Sequence, residues 1–127
     1  MNTKLLKEFL ASVPVMRTAI DRDKIKRGIK EGKVKAFIAF KGVDFERRSP
    51  VVMDWIIYKK DHEVVDKKNV TLNPNIPCGR GLHVTTKSNA PNWGGLVIKV
   101  LIPAKNNTIV FPTKGDKLRV KRLYVLS

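Results

Sequence analysis

The sequence predicts a single α+β domain: two N-terminal helices, then a mostly antiparallel, curved or split β-sheet. Three observations predict it. Apolar residues recur at helical spacing through residues 1–32. After Gly32 the pattern changes to short runs rich in Val, Ile and Phe. A chain of 127 residues, 43% hydrophobic and 29% charged, is large enough to bury one core without staples. The expected division is a helical part over 1–32 and a β-rich part over 33–127.

Leu5, Leu6, Phe9, Leu10 and Val13 share one helical face, with Thr3 as cap and Pro14 as terminator. This start contains an acid, Glu8, and no long apolar block, so it does not read as a signal peptide. No run is long enough to cross a bilayer, and no membrane partner is expected. A second helix is expected from Arg22 to Lys30, capped by Asp21, with Asp23 in its first turn and Gly32 past its end. Its apolar face is thin (Ile20, Ile25 and Ile29). Its outer face carries Arg22, Lys24, Lys26, Arg27 and Lys30, either simply solvated or in contact with a polyanion.

Val34–Phe40 reads as a buried strand that Lys41-Gly42-Val43 leaves. Asp44–Pro50 is polar and reads as a loop, and Val51–Tyr58 as the next strand with Trp55 in the core. Lys59–His62 is a polar turn, after which Val64 and Val65 resume briefly. Residues 66–81 form the longest irregular stretch, stiffened by Pro74 and Pro77; long ordered loops are often binding loops. Gly81–Thr86 is a strand, and Lys87–Trp93 a helical turn capped by Thr86 or Ser88 and released by Gly94-Gly95. Leu96–Ile102 is a central strand, Thr108–Phe111 a short one and Lys117–Leu126 the last. In that last strand the apolar side switches near Lys121-Arg122, which a β-bulge would repair.

The charge is the strongest indication of partner class. Lys and Arg total 26 against 11 acids, a net +15. Residues 1–48 carry 13 basic and 6 acidic groups, and residues 49–127 carry 13 and 5, so the excess belongs to the whole fold. Such a field attracts polyanions: nucleic acid, nucleotides or an acidic protein. One cysteine excludes an internal disulfide and accords with a reducing cytoplasm.

The candidate site is Pro77–Thr86. It holds Cys78, two glycines and Arg80 at a bend that enters a strand, and His83 on that strand. Gly79 and Gly81 let backbone N–H groups approach an anion, and an arginine offers a bidentate fork to phosphate. Lys41, Arg80, His83, Arg119 and Arg122 stand at or near strand ends, so they are the expected anion ligands. Cys78 and His83 form a poor nucleophile–base pair across a Gly-Arg-Gly turn, and Cys78 reads as a small loop residue. No metal site is expected, because His62 and His83 lack a carboxylate or cysteine at ligand spacing.

Several of these segments together resemble a known family. They are Ala39-Phe40-Lys41-Gly42-Val43, a Trp/Tyr-bearing strand, Cys78-x-x-Gly81-Leu82-His83-Val84, Ala90 in a helical turn, and a Val/Ile-rich strand. They resemble small phage-type proteins similar to the ADP-ribosyltransferase fold superfamily. The stretch Gly79 to Ala90 is similar to the second motif of its poly-ADP-ribosyl-transferring branch. The part from Asn73 to Tyr124 is also similar to the end of phage rapid-lysis-inhibitor B proteins. The resemblance implies an ADP-ribosyltransferase-like core and NAD as the cofactor. Lys41 takes the first-motif position, His83 the second-motif position against the nicotinamide, and Gly79, Arg80, Gly81 and Thr85 line the cofactor. The third-motif Glu has no counterpart: after Asp66 the only acid is Asp116, and the last strand offers Arg119 and Arg122. A basic set suits phosphate better than a cationic sugar, although RNA 2′-phosphotransferases of this superfamily use basic residues with NAD. The expected function is binding of nucleotide or nucleic-acid phosphates. The alternatives are an NAD-dependent ADP-ribosyl or RNA 2′-phosphate transferase, with His83 catalytic, and a protein that captures an acidic host or virion partner.

Overall fold

A computed structural model describes residues 3–44, 56 and 58–127. Among the described residues, two helices, α1 (Thr3–Ser12) and α2 (Ala19–Lys30), and seven strands are present. These are β1 (Ala36–Val43), β2 (Glu63–Val65), β3 (Leu82–Val84), β4 (Leu96–Pro103), β5 (Ile109–Val110), β6 (Leu118–Val120) and β7 (Arg122–Val125). A 3₁₀ turn, Ala90–Asn92, lies between β3 and β4. The fold is α+β, and every strand ladder among the described residues is antiparallel. The expected strand over Val51–Tyr58, the loop over Asp44–Pro50 and the placement of Trp55 lie largely or wholly outside the described residues. No described helix is long and apolar enough to cross a membrane.

The strands form two sheets, one ordered β1-β4-β7-β2 and the other β3-β6-β5. An isolated bridge between Phe40 and Thr85 ties β1 to the chain leaving β3. The main core draws on both sheets: Phe37, Ala39 and Val43 meet Ile98, Val100 and Ile102, with Leu82, Val84, Leu118, Val120, Leu123 and Val125. A smaller cluster, Ile38, Phe40 and Ala90, lies on the other face of β1, with Leu10, Val13 and Val15 packed against it. Strand β1 is therefore buried on both faces, which is why its sequence reads as a continuous apolar run.

Three boundaries differ from expectation for physical reasons. Helix α2 begins at Ala19, with Thr18 as its cap. Asp21 serves from inside the first turn, its carboxylate accepting the Arg17 and Thr18 amides at 3.1 Å. Strand β1 does not end at Phe40. It stays paired with β4 from Ala36 opposite Pro103 to Val43 opposite Leu96, so Lys41 and Gly42 remain in the ladder. The last strand is not one bulged strand. Its phase switch at Lys121 is the point where the chain leaves the small sheet as β6 and enters the large one as β7. Asn107 pins that crossing, accepting the Arg122 amide at 3.0 Å and donating to the carbonyls of Pro103 and Arg122.

Arg22 is also not on the outer face of α2. It is buried, donates to the carbonyls of Pro112 at 2.7 Å and Lys117 at 3.0 Å, and lies over the Phe111 ring. It stands three residues before Ile25 and seven before Ile29, so helical spacing already puts it on the inward face.

Candidate functional site

Pairing of β3 with β6 sets His83 opposite Arg119. Lys41 comes from β1, and its fully buried Nζ donates to the His83 carbonyl. The ammonium also lies 4.9 Å from the centre of the Tyr58 ring and 5.8 Å from that of Trp93, where cation–π attraction offsets part of its desolvation. Trp93, whose role the sequence left open, thus helps to enclose a buried cation.

Arg119 is fully buried and forks into the irregular 66–81 stretch. Its Nε donates to the Thr71 carbonyl at 2.6 Å, and its two terminal nitrogens to those of Ile76 and Asn73, each at 2.7 Å. Burial lowers its pKa, an effect opposed by Cys78. These bonds explain why a loop without strand or helix is ordered: one side chain satisfies three of its carbonyls. Arg119 therefore closes a loop from inside and is not placed to grip phosphate.

The glycines serve the same closure. A Cβ on Gly79 would meet the Thr71 side chain at 2.5 Å. Gly81 has φ +142°, outside the range that side chains favour, and a Cβ there would lie 3.0 Å from that of Arg119. Thr71 also pairs with Arg80 twice, its amide donating to the Arg80 carbonyl at 2.9 Å and its hydroxyl accepting the Arg80 amide at 2.8 Å.

His83 Nε2 lies 2.8 Å from the Gly79 carbonyl, so that nitrogen carries the proton. Burial pushes the imidazole pKa down; the Gly79 bond opposes this, and the charges of Lys41, Lys117 and Arg119 push it down further. The ring is neutral at pH 7 and adds no positive charge for an anion. Thr85 is buried, its hydroxyl donating to the Asp116 carbonyl and accepting from Asn89 Nδ2, both at 3.1 Å.

The structure brings Lys41, His83 and Arg119 together, but inside their strand ladders and bonded internally, not at strand ends as anion ligands. It leaves Arg80 exposed and puts Arg122 on β7, where its guanidinium faces Glu63 at 3.5 Å. It adds a member that sequence reasoning missed: Lys117, whose Nζ donates to the exposed Cys78 thiol at 3.0 Å. Nothing in the spacing of Lys117 signals that contact, because a loop 39 residues away supplies its partner.

Of the residues that the resemblance assigns to NAD, Arg80 alone is exposed: Lys41 and Thr85 are bonded internally, Gly79 and Gly81 are packed against Thr71 and Arg119, and the His83 ring closes its own turn, so together they do not fit a dinucleotide. Comparison of the chain with family models, with curated proteins and with solved structures finds no match.

Proposed function

We propose that this protein binds nucleic acid through phosphate contacts spread over its exposed cationic surface. One observation carries the reading: the positive excess lies outside. Of the 26 basic residues, only Arg22, Lys41 and Arg119 are buried among those described. The solvent face of α2 presents Lys24, Lys26, Arg27 and Lys30, and none pairs with a carboxylate among the described residues. With 11 acids in the chain, there are too few anions to neutralise such a surface from within. A polyanion releases counterions when it docks there, and that release drives binding.

The resemblance to ADP-ribosyltransferases adds no support, because every position it assigns to the cofactor except Arg80 is bonded or packed internally. The test is fluorescence anisotropy of a labelled strand at rising salt. Affinity should fall by at least about tenfold between roughly 50 and 200 mM salt. Replacing Lys24, Lys26, Arg27 and Lys30 together by Ala should weaken binding about tenfold or more and flatten the salt slope. Affinity that is absent at low salt, or unchanged by salt, would overturn the reading.

A further inference from the structure

A groove of about 350 Å³ lies on the sheet face of β1 and β4 that turns away from the main core. Its floor is apolar: Val15 from the segment before α2, Ile38 and Phe40 from β1, and Val97 from β4. Its walls are cationic: Arg17, Lys87 and Lys99. These three side chains are exposed, and none pairs with a carboxylate among the described residues. Ser127 stands at one end, its hydroxyl accepting the Lys99 amide at 3.0 Å.

The backbone holds this shape. Met16 donates to the Ile38 carbonyl at 2.8 Å, and Lys87 and Ser88 donate to the carbonyls of Met16 and Arg17 at 3.1 Å. Arg17 and Lys87 are thereby fixed on neighbouring segments beside the same floor. Val97 remains 37% exposed, so part of the apolar floor is open between Lys87 and Lys99.

An apolar floor between cations matches a ligand that alternates flat rings with anions. A duplex keeps its bases stacked inside and offers the floor nothing. A single strand can place one base against Val97, the exposed part of the floor, while its phosphates reach the walls. The volume is at the low end for small-ligand sites and suits one nucleotide unit. We infer that this groove is a base-binding subsite for single-stranded nucleic acid, with Arg17, Lys87 and Lys99 on the flanking phosphates. The inference rests on the nucleic-acid reading and sharpens it to single strands.

The test compares a labelled single strand, the same strand made abasic, and the duplex. The full chain should bind the intact strand at least about fivefold more tightly than the abasic one. Val97→Asp should erase that preference, and the milder Val97→Ser should reduce it, with thermal unfolding confirming that both variants are folded. Lys99→Gln should keep the preference and lower the salt slope by about one. Equal binding of intact and abasic strands, or a preference that survives Val97→Asp, would overturn the subsite while leaving salt-dependent binding intact. Loss of phosphatidylserine-vesicle binding in Val97→Asp, with strand preference unchanged, would instead assign the groove to a lipid headgroup and overturn the inference. Absence of binding to any strand would remove the parent reading as well.

Discussion

Two sets of cations occupy this molecule, and they differ in what their donors meet. Inside, Arg119 and Arg22 are each held mainly by main-chain carbonyls, and Lys41 donates to another. Outside, Arg17, Lys87, Lys99 and the α2 lysines are exposed and have no carboxylate partner among the described residues. In a chain with few acids, a buried cation can replace a carboxylate with the carbonyls of an irregular loop. That satisfies the cation and orders the loop together. A basic residue beside a glycine-rich bend is thus not in itself evidence of a ligand; the accessibility of its donors decides.

The largest expected break falls on the inner set. Arg119→Ala would leave the carbonyls of Thr71, Asn73 and Ile76 without their donor and empty a buried volume, costing about 3–5 kcal/mol. Urea unfolding should show a large fall in midpoint, and Arg119→Lys should rescue only part, since an ammonium lacks the planar fork. A loss below about 1 kcal/mol would mean that Arg119 does not order the loop.

Within α2 the contrast can be tested in one helix. Arg22→Ala should cost about 2–3 kcal/mol through lost carbonyl bonds and lost packing on Phe111. Lys26→Ala, four positions on and exposed, should stay within about 0.5 kcal/mol. Equal effects at the two positions would erase the distinction between inner and outer cations.

The smallest effect concerns pH. The folded His83 has a lowered pKa, so the unfolded chain takes up its proton first as pH falls. Its contribution is complete above the ordinary imidazole value of about 6.5 and is lost as pH falls through the lower folded value. Unfolding midpoints should therefore decline with acidification more steeply in the wild type than in His83→Gln. Identical pH profiles would show that the ring is not held neutral by the fold. An NMR titration of Lys41→Met should find the His83 pKa raised, because one of the charges depressing it is gone.

Local patterns were legible where they depend on neighbours in the chain. The helical spacing before Gly32 and the apolar runs of β1 and β4 could be read from residues within a few positions, whereas the turn expected over Lys87–Trp93 with Thr86 or Ser88 as cap is shorter, Ala90–Asn92 with Asn89 at its N-cap, and the Thr86 hydroxyl accepts the Asn89 amide at 3.2 Å. The phase switch at Lys121 was visible too, but a one-dimensional pattern cannot tell a bulge from a change of sheet, which needs the partners of β6 and β7. The glycines flanking Arg80 were equally visible, yet their purpose depends on Thr71 and Arg119, whose positions are set by the fold.

Composition and short-range periodicity by themselves determined that this is a basic α+β protein with a cationic surface, because net charge and side-chain alternation are properties of the chain. Tertiary structure alone decided which cations are available. It brought Arg119 against carbonyls 43 to 48 residues away, and Lys41 against one 42 away, while leaving Arg17, Lys87 and Lys99 around an open groove. The reason is that a donor is satisfied by whatever acceptor the fold places within about 3 Å, and no spacing along the sequence encodes that distance.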